Sequence, residues 1–171
     1  MSRYEGYEAF YKEAFARVLF RALCITGNKE LAWDVAQEAM LVMVERWDER
    51  RGRTFDDNLR YAAGVAGKQA LSARRRIAVQ VRTLIQLGGW REAVAVPFDV
   101  EVEFAHDLMA ALDGMSVQER AVVVLSVSGL STGDVADALK ITQSTVRSHK
   151  QRIRRGLDLP SVVLALGEGD A

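Results

Sequence analysis

Tyr11, Phe15, Val18, Leu19, Ala22 and Ile25 recur at three- and four-residue intervals, and Gly27 followed by Asn28 supplies a stop and then a capping residue. The spacing predicts one helix that ends at Gly27 and a second from about Lys29 to Trp47. On the second, Leu31, Val35, Ala39, Val42 and Trp47 share a face that can meet the first helix, whereas Asp34, Gln37, Glu38, Leu41 and Glu45 fall on another. That other face is acidic with one apolar residue in it. After the turn Arg50-Arg51-Gly52-Arg53, a third helix is expected from Asp57 to Arg76, opened by Asp residues competent to cap and weakened by Gly64 and Gly67.

From Thr83 to Phe104 the helical period fades. Gly88-Gly89 and Pro97 interrupt it, and Val96, Phe98, Val100, Val102 and Phe104 alternate with Asp99, Glu101 and Glu103. Such alternation is also a strand's, but no partner strand is evident elsewhere, and an extended acidic linker is the better reading. Helical spacing resumes with Leu108, Ala111, Leu112 and Met115. Two capping-box patterns follow, Ser116 with Glu119 and Ser131 with Asp134, each marking a helix start. Thr142 is placed to cap a final helix that should end near Gly156, because Pro160 cannot continue it comfortably. Four short helices thus fit between His106 and Leu157.

These elements make an all-α fold of two small helical domains joined by a linker, the C-terminal one containing a helix-turn-helix. The expected limits are 1–82 for the first domain, 83–105 for the linker, 106–158 for the second domain and 159–171 for a tail. With 171 residues, 49% of them apolar, the chain can bury a core. It shows no apolar run of membrane-spanning length and no leader pattern, so a cytoplasmic address with no membrane partner is expected. Cys24 is the single cysteine and lies in the apolar run VLFRALCI, where a buried thiol is expected rather than a reactive one. His106 and His149 lack a second His or Cys at a metal-site spacing, and no glycine-rich phosphate loop or nucleophile elbow occurs. The expectation is a protein without enzymatic activity, metal, cofactor or small-molecule substrate.

The chain holds 23 basic and 23 acidic residues, but they are segregated. Residues 58–91 hold seven basic and no acidic groups, and residues 92–119 hold seven acidic and no basic ones. Lys140 to Leu157 again carries six cations and no acid. A single such run is most simply a solvated helix face. Two, separated by an acidic stretch, suggest two surfaces for a polyanion. Within GLSTGDVADALKITQSTVRSHKQRIRRGL, a small residue, Ala136, stands ten positions before Val146, a spacing that fits a helix-turn-helix; a plain helical hairpin with a basic exterior is the alternative. Val135, Leu139, Ile141, Val146 and Ile153 can seal the joint. The remaining face of the last helix shows Gln143, Ser144, Arg147, Ser148, Gln151 and Arg154 or Arg155, side chains that can reach base edges while cations pair with phosphates.

The segment from Leu108 to Leu157, LMAALDGMSVQERAVVVLSVSGLSTGDVADALKITQSTVRSHKQRIRRGL, resembles the fourth conserved region of bacterial sigma factors. FYKEAFARVLFRALCITGNKELAWDVAQEAMLVMVERWD, Phe10 to Asp48, resembles the second region of their extracytoplasmic-function subgroup within the sigma-seventy superfamily. The stretch DVAQEAM and the helix-turn-helix are the most specific parts. The resemblance implies an alternative sigma factor that binds core RNA polymerase and directs promoter recognition and transcription initiation. On that likeness Asp34, Gln37, Glu38 and Leu41 dock on the polymerase, and Lys68, Gln69, Ser72, Arg74, Arg75 and Arg76 engage the melted downstream promoter element. Gln143, Ser144, Thr145, Arg147, Ser148, Lys150, Gln151 and Arg154 would read the upstream element. The acidic linker around Asp99, Glu101, Glu103 and Asp107 would thread through polymerase channels built for nucleic acid, and family members are often held inactive by an anti-sigma factor.

The chain also departs from the family. Where members show an aromatic-Leu pair, then Ile-Ala-Arg-Asn, and an Asp before the arginine run, this one has Gly64-Val65-Ala66-Gly67, with Leu71 near the Asp position. The turn position that usually holds Gly is Lys140, which carries a modest backbone penalty if the conformation there is left-handed. Lys150 replaces a usual apolar residue; its stem can pack while the ammonium reaches phosphate. Two other readings stay open: a LuxR-type regulator, which TVRSH at Thr145 to His149 also resembles, and a sigma-like interaction protein that does not open promoters. The tail SVVLALGEGDA is readable as a packed extra turn, a disordered end or a degradation tag.

Overall fold

The computed structural model describes residues 4–80, 102–156 and Val162, with backbone alone at 74–80 and 102–106. Among them are eight helices and no strand: α1 Tyr7–Thr26, α2 Lys29–Glu45, α3 Trp47–Arg50, α4 Phe55–Gln80, α5 Val102–Leu112, α6 Val117–Val127, α7 Thr132–Leu139 and α8 Gln143–Gly156. The all-α expectation holds. The alternating stretch 83–101 lies outside the described residues, but its last part does not: α5 begins at Val102, so Val102 to Ala105 belong to a helix.

Local chemistry accounts for most boundaries. Gly27 takes a left-handed conformation (φ 66°) and donates its N–H to Leu23 O, closing α1. Asn28 is then extended and its side chain accepts from Leu31 N at 2.9 Å, opening α2. Both capping boxes are complete: Ser116 and Glu119 satisfy each other's backbone N–H groups at α6, and Ser131 and Asp134 do so at α7. Thr142 accepts from Thr145 N at 3.1 Å at the head of α8. At α4 the expectation needs correction, because the capping group is Thr54, whose hydroxyl accepts from Asp57 N at 3.1 Å. Asp56 and Asp57 therefore fall in the first turn, where carboxylates suit the helix dipole without capping it. Arg50 ties this corner together: it donates to Asn58 Oδ1 and Asp57 O, both at 3.1 Å, and lies 3.9 Å from the centre of the Tyr61 ring.

α1 departs from its simple stripe. Val18, Leu19, Ala22 and Ile25 are buried as expected, but so are Phe20, Leu23, Cys24 and Thr26, while Tyr11 stands at the surface stacked on Phe15. The second half of α1 is enclosed on nearly every side because it packs against α2 and α4 and also against α6. Its first turn is anchored instead by Phe10, which contacts Trp47 and Phe55, and by Tyr7, whose hydroxyl donates to Met40 O at 2.7 Å. Trp47 begins a separate short helix rather than ending α2, and its indole N–H donates to Glu5 O at 2.8 Å.

One buried cluster runs through both halves, from Phe10 and Met43 through Ala63, Ala66 and Ala70 to Val122, Leu125, Val135 and Val146. α6 is the hinge of this packing. Arg120 to Ser126 are all buried, and the helix touches α1, α4, α7 and α8. The close approach is made at two glycines of α4. A Cβ on Gly67 would stand 3.0 Å from Leu125 Cδ1, and one on Gly64 would stand 3.6 Å from both Ala138 Cβ and Leu130 Cδ2. Read from sequence as helix weakeners, these glycines are where the C-terminal helices fit onto the N-terminal ones.

Candidate nucleic-acid interface

α7, the turn 140–142 and α8 form the helix-turn-helix. Ala136 is buried at the crossing, with Val135, Leu139, Val146 and Ile153 buried around it and Ile141 half-buried. Lys140 is the one non-glycine residue with positive φ among the described residues (φ 56°, ψ 45°), and its N–H caps α7 by donating to Ala136 O. The left-handed turn is thus held by a lysine. Its strain is tolerated because that hydrogen bond and the buried joint fix the geometry from both sides.

On α8, Gln143, Ser144, Arg147, Ser148 and Gln151 are exposed on one continuous surface. Arg147 Nη2 donates to Gln143 Oε1 at 3.4 Å, and Ser148 donates to Ser144 O at 3.0 Å, so these side chains lie along the helix. Thr145 is half-buried with its hydroxyl 2.9 Å from that of Thr142, and Arg154 is also half-buried. Arg155 is exposed near the end of the helix. Lys150 is a correction. Expected to reach phosphate, it is 1% exposed, and its ammonium donates to the buried Thr132 hydroxyl at 2.8 Å. Thr132 was not singled out in the sequence; a polar side chain one position after a capping Ser, facing a lysine 18 residues on, carries no local signal.

A second polar tie holds α8 to α6. Arg152 bonds Glu119 at 2.9 Å and donates to His149 Nδ1 at 2.7 Å. Burial, together with Arg152, pulls the His149 imidazole below its usual pKa, and Glu119 opposes this only in part. Burial pushes the Glu119 carboxyl up, but hydrogen bonds from Ser116 and the charge of Arg152, joined by that of His149 when the imidazole is protonated, outweigh it, leaving its pKa below the usual value. His149 is accordingly neutral, with Nδ1 accepting.

The α2 residues Asp34, Gln37, Glu38 and Leu41 are all exposed on one stripe, Leu41 at 61%, and Trp33 beside them rests on Phe15 with ring centres 5.3 Å apart. On α4, Lys68 is exposed, Gln69 and Ser72 are half-buried, and the side chains of Arg74, Arg75 and Arg76 lie outside the described residues. Lys68 and Gln69 line a cleft of about 550 Å³ between α4 and α7, whose walls also include Arg60, Gly64 and Val65 from α4 and Asp134, Asp137 and Ala138 from α7. Cys24 is buried, and burial raises its thiol pKa to about 12, which makes it a packing residue. Among the described residues no cluster of His, Cys, Asp or Glu could hold a metal ion, and no helix is long and apolar enough to cross a membrane.

The fold contains a helix-turn-helix whose last helix, α8, exposes a polar and basic face. Residues 105–157 match the family described as Sigma-70, region 4, a span that begins within α5 and ends one residue past α8. The match supports a sigma-70 family member and covers less than a third of the chain. No curated protein and no solved structure matches it.

Proposed function

We propose that this chain is an alternative sigma factor of the extracytoplasmic-function kind, a cytoplasmic, non-catalytic subunit that joins core RNA polymerase and directs it to promoters. The observation that carries the reading is the exposed α8 surface of Gln143, Ser144, Arg147, Ser148 and Gln151, set on a helix-turn-helix within the span similar to Sigma-70, region 4. Long donors and acceptors on one helix face suit base edges in the major groove, with Arg147 the best placed to make a bidentate contact to guanine. Arg154 and Arg155 near the helix end suit phosphates.

The remaining roles follow from the resemblance and from exposure. The stripe Asp34, Gln37, Glu38 and Leu41 docks on the polymerase, with the exposed Leu41 as its apolar contact and the polar and charged residues suited to the rim around it. Lys68, Gln69 and Ser72, with Arg74 to Arg76, engage the separated strand of the downstream element. Residues 1–82 and 106–158 act as the two binding units, and an anti-sigma factor is a further partner to seek. The test is direct binding to purified core polymerase on a glycerol gradient. Wild type should co-sediment with core; the double reversal Asp34→Lys, Glu38→Lys should not, while keeping its helix content. A double reversal that still travels with core would refute the docking assignment.

A further inference from the structure

Elements far apart in sequence converge on the cleft of about 550 Å³: the end of α2, α4, the turn between α6 and α7, and α7 with the turn that closes it. That volume lies in the range of small-molecule pockets. We propose that the cleft is a binding site for a nucleoside diphosphate, its phosphates held between Lys68 and Lys140, its ribose hydroxyls donating to Asp134 and Asp137, and its base resting on Tyr61. The site goes beyond the polymerase reading and does not depend on it.

Three observations carry the assignment. First, the cations of the cleft are unequal. Arg60 is held by Asp57, and Arg46 by Glu49 at 3.2 Å, whereas Lys68 and Lys140 pair with no carboxylate among the described residues. Both lysines are exposed, one on the α4 wall and the other at the end of α7. A diphosphate spreads its charge over two phosphoryl groups, and a compact ammonium from each wall suits it. Second, Lys140 keeps a left-handed backbone (φ 56°) at a turn where glycine would be at ease. Backbone strain of this kind gathers where a side chain is put to use, and the Lys140 side chain lines the cleft.

Third, the rest of the lining distinguishes a nucleoside phosphate from a bare one. Asp134 and Asp137 repel an inorganic phosphate, but a ligand with hydroxyl groups beside its phosphates turns those carboxylates into acceptors. Asp134 has capacity for this, because its capping box uses Oδ2 alone, which accepts from Ser131 N at 3.3 Å and Ser131 Oγ at 2.7 Å. Tyr61 is half-buried, and Arg50 lies 3.9 Å from its ring centre, so the ring is pinned before a base arrives. Val42, Val65 and Leu130 make the adjoining wall apolar. Side chains from distant elements supply every one of these groups, which is why no phosphate-binding loop marks the site in the sequence.

Calorimetric titration of the full-length chain with ADP, AMP, pyrophosphate and sulfate at one fixed ionic strength tests the proposal. ADP should give a saturable, single-site isotherm and sulfate none; no isotherm with ADP, or sulfate bound as tightly, would overturn it. AMP should bind more weakly than ADP, since one phosphoryl group cannot serve both walls, and equal affinity would refute the placement of the phosphates. Lys68→Ala and Lys140→Gly, the latter keeping the left-handed turn, should each weaken ADP by at least about tenfold through loss of a charge-assisted hydrogen bond. Both positions are exposed, so the variants should fold, as circular dichroism would verify; ADP bound as tightly by either folded variant would contradict the site. Asp137→Asn should weaken ADP several-fold while leaving pyrophosphate bound as before or more tightly. Pyrophosphate bound as tightly as ADP by wild type, or an Asp137→Asn protein with undiminished ADP affinity, would refute the nucleoside assignment. None of these readouts involves polymerase, so failure of the site and failure of the polymerase reading are separate results.

Discussion

Replacing Lys140 with glycine should stabilise this protein although it removes a charge and a long side chain. At φ 56° and ψ 45° the lysine backbone is left-handed, a conformation that costs an L-residue about 1–2 kcal/mol. Glycine escapes that cost but loses roughly 0.5–1 kcal/mol of extra chain entropy on folding. At the middle of both ranges the balance favours Lys140→Gly by about 0.75 kcal/mol. Lys140→Ala is the control: it removes the side chain from the rim of the cleft but keeps the Cβ, and it should sit near wild type. Because the buried core is continuous across both halves, unfolding should be one transition. For a cooperative unit of this size the midpoint should rise by about 1–4 °C. Thermal melts of the three proteins followed by circular dichroism check this. If Lys140→Gly is neutral or destabilising, or if Lys140→Ala stabilises as much, the strain argument fails and the lysine side chain matters for another reason. Two separate transitions would instead contradict the continuous core.

Lys150→Met should lower stability by about 1–3 kcal/mol, because a buried polar contact to Thr132 is lost. It should leave the salt dependence of duplex binding unchanged, as measured by titrations at several salt concentrations; a slope reduced by about 0.9 would instead mark a phosphate contact. The α6–α8 tie should weaken in acid. His149 has a folded pKa below its ordinary 6.5, so the unfolded chain takes up the proton first and stability falls as pH drops below 6.5. Glu119 has a folded pKa below its ordinary 4.5, so its contribution is present above 4.5 and is lost as pH falls through the folded value. His149→Asn should therefore flatten the denaturation midpoint between pH 7 and 5.5 without removing the loss below 4.5; an unchanged profile would remove His149 from the account. Gly27→Ala should cost about 1 kcal/mol through the left-handed end of α1, measurable by urea unfolding.

The features legible in the sequence are those that depend on neighbours along the chain. Gly27 and Asn28, the two Ser-led capping boxes and Thr142 act within four residues of themselves, and each marks the boundary it was read to mark. The Ala136–Val146 joint is also local, since it spans a single turn, and its buried side chains follow the pattern. What was not legible depends on partners far away. Gly64 and Gly67 reduce helix propensity wherever they stand, and only the arrival of Leu125 and Ala138 gives them a purpose. Their spacing among Ala63, Ala66 and Ala70 was the available signal, a strip of small residues at helical intervals. Tyr11 fits the apolar period of α1 but loses the core position to Phe10, because Trp47 and Phe55 come from two other elements to meet Phe10. Lys150 shows the limit for the site itself: a cation among six in a basic run reads as a phosphate ligand, whereas the fold turns it inward onto Thr132. Thr54 rather than Asp57 caps α4 because the hydroxyl three residues before Asp57 N has the capping geometry.

Single-round transcription tests most directly whether the chain acts as a polymerase-borne reader of promoters. Purified core polymerase and a library of genomic fragments would be combined with wild-type protein or with Arg147→Ala, and transcript ends would be mapped. Wild type should yield discrete start sites that core alone does not, and Arg147→Ala should lose those starts while remaining bound to core. Starts scattered as they are with core alone, or the same discrete starts from Arg147→Ala, would contradict it.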